Sequence, residues 1–177
     1  MKTALMIFLF ASGIFAQSAP PATASAVAPG CGPATENFEV KSSGSSHPVI
    51  QPEAGKALVY FLQDDHDYTN HPRPSTKWGV DGQWVGATQS NSYFYFSLDP
   101  GEHHLCATWQ TAAILTGGHL AAAAHFTAEA GQVYYFKVTD IYRPVANDTA
   151  IKLGPVDGDE AQLLMNKFGF STSQPKK

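Results

Sequence analysis

The sequence predicts an all-β domain, an antiparallel β-sandwich of seven or eight strands with one C-terminal amphipathic helix. Three observations carry that reading. Turn signals built on Gly, Pro and Asp fall close together between short apolar runs. Most of those runs alternate at the two-residue period of a strand rather than the 3.6-residue period of a helix. The composition is low in charge, at 15%, and holds 15 Gly, 12 Pro, 11 Phe, 7 Tyr and 3 Trp. That is the profile of a β-rich extracytoplasmic domain, not of a helical bundle.

Part of the 177-residue chain reads as processing signal or spacer and leaves the fold argument. Lys2 is followed by an apolar run from Ala4 to Phe15, which is too short to cross a ~30 Å hydrocarbon core as a helix. Ile14 and Ala16 suit the −3 and −1 positions of a signal peptidase site, so residues 1–16 read as a secretory signal cleaved before Gln17; a retained N-terminal anchor is the alternative. Cys31 follows Ala28-Pro29-Gly30, which is not a lipobox. Residues 17–52 hold half of the prolines and otherwise mainly Ala, Ser, Thr and Gly, a composition that cannot offset its ordering entropy, so a flexible linker is expected. Residues 171–177 read as a disordered tail. The folding unit is then 53–170, one domain with a single core.

Within it, Lys56 to Gln63 is apolar on both alternating sets, Ala57/Val59/Phe61 and Leu58/Tyr60/Leu62, as expected of a strand covered on both faces. Thr76 to Ala87 contains Asp81-Gly82, the two-residue hairpin signal, with Val80 opposite Gln83 and Trp78 opposite Val85. Ser92 to Leu98 and His103 to Trp109 form a second pair across Asp99-Pro100-Gly101-Glu102. Leu120 to Thr127 and Gln132 to Thr139 form a third across Glu129-Ala130-Gly131. The Ala121 to Ala124 run makes a helix the competing assignment there. From Asp159 to Phe168 the period changes: Ala161, Leu164, Met165 and Phe168 share one helical face, with Asp157 or Asp159 as the N-cap and Gly169 as the C-cap.

These residues carry a resemblance. Lys56-Ala57-Leu58-Val59-Tyr60-Phe61, Val80-Asp81-Gly82, Leu98-Asp99-Pro100-Gly101-Glu102-His103 and Ala130-Gly131-Gln132-Val133-Tyr134-Tyr135-Phe136 resemble a family of uncharacterised bacterial envelope proteins. Its members are often lipoproteins, built around a single domain of unknown function. The pattern is also similar to the PEGA and carboxypeptidase-regulatory type of transthyretin-like sandwich. The resemblance spans about Gly55 to Lys167 and implies a periplasmic or secreted β-sandwich. The chain departs from the lipoprotein members in lacking a lipobox.

Charge and motifs narrow the function. A net charge of −4 with no basic stripe excludes a nucleic-acid surface. Two cysteines in an exported chain invite a Cys31–Cys106 disulfide; the alternative is a buried Cys106 thiol and an exposed Cys31. Asp64-Asp65-His66-Asp67 with Asn70 and His71 is the densest cluster of metal-ligating types, and His66, Asp67 and His71 are the candidate metal ligands. Its spacing fits no standard site, so a solvated loop is the competing reading. His119 and His125 read as ordinary surface histidines. No nucleophile elbow, zinc-protease or phosphate-loop motif occurs, so no catalytic residue is assigned and no cofactor is expected.

The outward aromatics Trp84, Tyr93 and Tyr95, with Lys77 and Tyr135 as candidate neighbours, are the ligand-binding candidates, because exposed rings stack on sugars or anchor protein partners. Coverage by the linker or helix is the alternative. The reading is a noncatalytic envelope module binding a glycan or another envelope protein, with no transmembrane span in the mature chain. A metal-binding domain is the first alternative and an unrecognised hydrolase the second.

Overall fold

The computed structural model describes residues 29–44, 47–68, 73–110, 120–143 and 148–177. The expected signal at 1–16, residues 17–28 and 45–46 of the expected linker, Asn70, His71 and His119 lie outside them. Along the chain run β1 (Phe38–Ser43), β2 (Ala57–Asp64), β3 (Ser75–Val80), β4 (Gln83–Gln89), β5 (Ser92–Leu98) and β6 (Gly101–Trp109), then β7 (Ala121–Ala128), β8 (Val133–Arg143), β9 (Asp148–Pro155), α1 (Gly158–Met165) and β10 (Gly169–Pro175). Sheet A orders them β1-β10-β5-β2-β8-β9, and sheet B orders them β4-β3-β6-β7. Among the described residues ten strands replace the expected seven or eight, and the sandwich with one C-terminal helix stands. The pairing is antiparallel except at β2–β8 and β10–β5, which are parallel.

Burial explains why β2 lies inside sheet A. Val59 and Phe61 point between the sheets and pack with Trp78, Val80, Phe94, Leu105, Phe136 and Val138. Leu58, Tyr60 and Leu62 point the other way and are covered by Tyr93, Ala161 and Phe168, with Ile50, Leu164 and Met165 half-buried beside them. The helix thus closes the outer face of sheet A. Its N-cap is Asp157, whose side chain accepts from the Asp159 N–H, and its C-cap is Asn166. Gly169, expected as that cap, instead lets β10 approach β1, since a Cβ there would meet Ser42 Oγ.

Several expectations change for physical reasons. The Asp81-Gly82 turn forms with positive φ at both residues, 50° and 84°. Val80 pairs with Gln83 as expected, but Trp78 pairs with Gly86, because the register shifts by one past Trp78. The turns at Asp99–Pro100 and Glu129–Gln132 do not close in-sheet hairpins. β5 pairs with β2 while β6 pairs with β3 and β7, and β7 lies in sheet B while β8 pairs with β2 and β9. Each of these turns carries the chain from one sheet to the other, so the apolar faces it joins meet across the core rather than side by side. Residues 121–128 are strand, the tertiary ladder with β6 overriding alanine's helix propensity.

Segments read as linker and tail also enter the fold. Phe38–Ser43 pairs with Gly169–Pro175 along six registered positions, Phe38 to Pro175 through Ser43 to Phe170. Neither strand is strongly apolar. Each is recruited by backbone pairing and by Phe38, which is buried, and Phe170, which packs on both core clusters. Truncation after Phe168 removes β10, the only partner of β1 among the described strands. Its expected cost is about 3 kcal/mol or more, the scale of a deleted large core side chain, read as a lower urea midpoint. An unchanged midpoint would contradict this role for the C-terminal segment.

Candidate functional site

A cavity of about 360 Å³ lies on the outer face of sheet A. Its floor comes from three adjacent strands. In the sheet register Tyr60 of β2 is opposite Tyr95 of β5 on one side and Tyr135 of β8 on the other. Period-two alternation sends all three rings to the same face. Tyr60 stacks on Tyr135 with ring centres 5.3 Å apart and meets Tyr95 edge-on at 6.0 Å. Tyr93 lies diagonal to Tyr60 at 6.3 Å. Gln162, Met165 and Asn166 from the helix end form one wall, and residues 47–51 form the other. His47 stacks near Tyr93 at 6.4 Å between ring centres.

Burial holds the Tyr93 phenol above its ordinary pKa. Burial raises Tyr60 too, against the opposing pull of a hydrogen bond from the Ile50 backbone. Both remain neutral phenols with a polar tip at a largely apolar floor. The cavity therefore offers aromatic faces, uncharged hydrogen-bonding groups and the His47 imidazole. A volume of this size is at the small end of ligand sites.

The three aromatics expected to form one surface do not meet. Tyr93 is buried and Tyr95 half-buried on sheet A, whereas Trp84 is on the outer face of sheet B. There the segment from Gly30 to Glu36 covers it. Trp84 Nε1 donates to Pro33 O at 2.7 Å, and Lys77 Nζ sits 4.5 Å from the Trp84 ring centre while donating to the carbonyls of Ala34 and Glu36. Burial lowers the Lys77 pKa, offset in part by the Glu36 charge. Close packing fixes the strap: a Cβ on Gly79 would strike Gly30 O, and one on Gly32 would lie 2.7 Å from the Trp84 ring. Cys31 and Cys106 form the disulfide that locks it, with Cα atoms 5.0 Å apart. Residues 31–34 and Trp84 also enclose a smaller cavity of about 220 Å³ beside Thr108 and Ala121.

A buried polar network joins the two sheets near Trp109. Gln63 Nε2 donates to Asp65 Oδ1 at 2.9 Å, to Asp140 Oδ2 at 2.8 Å and to Pro74 O at 3.0 Å. Its Oε1 accepts from Thr88 Oγ1 at 2.7 Å, which in turn accepts from Trp78 Nε1 at 2.8 Å. Trp109 Nε1 donates to Asp140 Oδ1 at 2.8 Å. Asp65 and Asp140 hydrogen-bond to each other, and both are fully buried. Burial, then the hydrogen bond and charge of Asp65, pushes Asp140 up to about 9. Burial raises Asp65 as well, with the hydrogen bond from Asp140, then that from Gln63 and the Arg73 charge, pulling it down and the Asp64 charge adding to the rise. Asp140 therefore keeps its proton at neutral pH, and its bond from Gln63 ties β2 to β8 in the interior.

The candidate metal ligands are split. His66 and Asp67 are exposed and form a pair at 3.3 Å, and His71 lies outside the described residues. Among the described residues no group of three His, Cys, Asp or Glu stands close enough to hold an ion. Sequence reading missed His47, Gln162 and Asn166 because their convergence depends on strand order. The alternating tyrosines were a visible signal, but only the parallel β2–β8 pairing places Tyr135 beside Tyr60.

The model of a family described as "Protein of unknown function" (DUF2846) matches residues 53–151. That span holds β2 to β8 and the first half of β9, including the tyrosine floor. It stops before the helix wall and begins after residues 47–51. No curated protein and no solved structure matches the chain significantly.

Two outcomes follow from these contacts. Replacing both cysteines (C31A/C106A) costs about 2–4 kcal/mol of stability and opens Trp84 to acrylamide quenching while Trp78 and Trp109 stay protected; an unchanged quenching profile would contradict the strap. The buried proton also sets a pH trend. The folded-state pKa of Asp140 is above its unfolded value of ~4, so the linked stability is complete below about pH 4 and is lost as pH rises through about 9. The thermal midpoint therefore falls from about pH 5 to about pH 9, and Asp140→Asn, neutral at every pH, flattens the fall. An equally steep decline in the variant would overturn the buried proton on Asp140.

Proposed function

The chain belongs to the DUF2846 family of proteins of unknown function, and from that premise we propose that it is a noncatalytic secreted or periplasmic envelope module binding a neutral saccharide in the tyrosine-lined cavity. The observation that carries this reading is the chemistry of the lining: no Asp, Glu, Lys or Arg side chain is among the residues that form it. A phosphate or carboxylate ligand would find only the His47 imidazole as a counter-charge and an ammonium ligand none, which is costly away from water. A sugar ring instead offers its C–H face to Tyr60 and Tyr135 and its hydroxyls to Gln51, Gln162 and Asn166. The Cys31–Cys106 disulfide supports an oxidising compartment. Among the described residues no helix is long and apolar enough to cross a membrane.

A protein partner is the second reading, favoured by the exposure of Val49 at 88% and Leu163 at 61%. The metal-binding alternative at His66, Asp67 and His71 draws support only from the exposed His66–Asp67 pair.

Calorimetric titration with a neutral N-acetylhexosamine disaccharide tests the proposal. Binding is expected, weakened roughly 3- to 10-fold by Tyr135→Ala, the scale of one aromatic contact. An absence of heat at millimolar sugar, or affinity indifferent to Tyr135→Ala, would overturn it.

A further inference from the structure

On the far side of the sandwich, the outer face of sheet B carries a pair of histidines that the saccharide reading does not use. His104 of β6 and His125 of β7 are directly opposite in the antiparallel register. Their spacing class follows from the ladder. Trp109 N–H donates to Leu120 O across the same two chain segments, which makes that opposed pair a hydrogen-bonded one. Pairs alternate from there without a register shift, so His104 and His125 form a non-hydrogen-bonded pair. At such pairs the Cα atoms are only about 4.5 Å apart and the side chains lie closest.

Both imidazoles are exposed, and their ring centres are 6.3 Å apart at an interplanar angle of 44°. The adjacent His103 makes the contrast. Its Nδ1 bonds Asp81 Oδ2 at 2.6 Å and its Nε2 bonds Asp99 O at 2.7 Å, so both ring nitrogens are committed. Neither the His104 nor the His125 ring has a hydrogen-bond partner among the described residues. The His104 backbone is meanwhile pinned, its N–H donating to Asp81 Oδ1 at 2.8 Å and its C=O accepting from Asp81 N–H at 2.9 Å.

We propose that His104 and His125 form a two-imidazole site for a borderline divalent transition-metal cation, of the Cu²⁺, Ni²⁺ or Zn²⁺ type. Imidazole is a preferred ligand for these ions, and affinity among them peaks at Cu²⁺. With metal–nitrogen bonds of about 2.0–2.1 Å, two rings on one tetrahedral ion have their centres roughly 5 Å apart. Rotation of two exposed side chains closes the difference from 6.3 Å. The rigid ladder holds the two ligands together before the ion arrives, so little entropy is lost on chelation. No third protein ligand stands with them among the described residues, and water completes the coordination. Both thiols are in the disulfide and do not compete.

The test is a Cu²⁺ titration of the full disulfide-bonded chain, followed by calorimetry and by the nitrogen coupling in its electron paramagnetic resonance spectrum. One ion is expected, with coupling from two imidazoles. His104→Ala and His125→Ala should each weaken binding roughly tenfold or more, the scale on which metal affinity responds to lost ligand support. The double variant should lose little beyond either single one, because either alone breaks the chelate. Both side chains are exposed, and circular dichroism verifies that the variants fold. Additive losses of about twofold each would mean two independent histidines and would overturn the site. So would a single-imidazole spectrum, or binding abolished by His66→Ala with both sheet variants unaffected.

Discussion

Strand β2 is buried along both faces from Ala57 through Gln63, and this obliges the molecule to cover sheet A twice. Each large side chain there is worth about 1.5–3 kcal/mol when withdrawn from water, so neither face can be left open. Sheet B covers one side through Trp78, Val80, Leu105 and Ala107. Among the described residues the other side has no second sheet, and α1 with residues around Ile50 covers it instead. A helix of eight residues cannot tile a six-stranded sheet. The gap left between the helix end and residues 47–51 is the tyrosine-lined cavity.

The flanking segments do more than join the domain to something else. β1 and β10 extend sheet A past β5, and residues 30–36 lie across sheet B under the Cys31–Cys106 bridge. The family match at 53–151 excludes all of these. The shared unit therefore supplies the two sheets and the tyrosine floor, while the wall of the cavity and the cover over Trp84 come from this chain's own ends. A neutral ligand at the floor would be selected by residues outside the shared unit, Gln51, Gln162 and Asn166 among them.

Much of the fold was legible because it depends on local chemistry. The two-faced apolar pattern of β2, the Asp81-Gly82 turn and the i, i+3, i+4, i+7 spacing of the helix each follow from a few consecutive residues. The disulfide was legible as an inference from export and from having two cysteines. What the sequence hid was non-local. A turn such as Asp99-Pro100-Gly101 has the same residues whether the chain returns within its sheet or crosses to the other. Polar strands such as Phe38–Ser43 and Gly169–Pro175 look like spacer until each supplies the other's hydrogen bonds. The grouping of the aromatic candidates depends on the same non-local order: Trp84 and Tyr93 both point away from the core, but from different sheets. His125 read as a lone histidine until the β6–β7 register set it against His104.

The interior network shows the same dependence on strand order. Gln63 reaches both Asp65 and Asp140, residues far apart in sequence, because β2 runs parallel to β8. The parallel pairing that aligns Tyr60 with Tyr135 on the outer face thus aligns the carboxyl pair at the end of the same strands. The site proposed for an uncharged ligand is the outer face of sheet A between the helix and residues 47–51. Amide chemical-shift mapping with matched neutral and acidic saccharides tests it most directly. The account predicts shifts at Val133 to Tyr135 and Gln162 to Asn166 with the neutral sugar alone. Equal shifts with the acidic sugar, or shifts confined to sheet B, would contradict it.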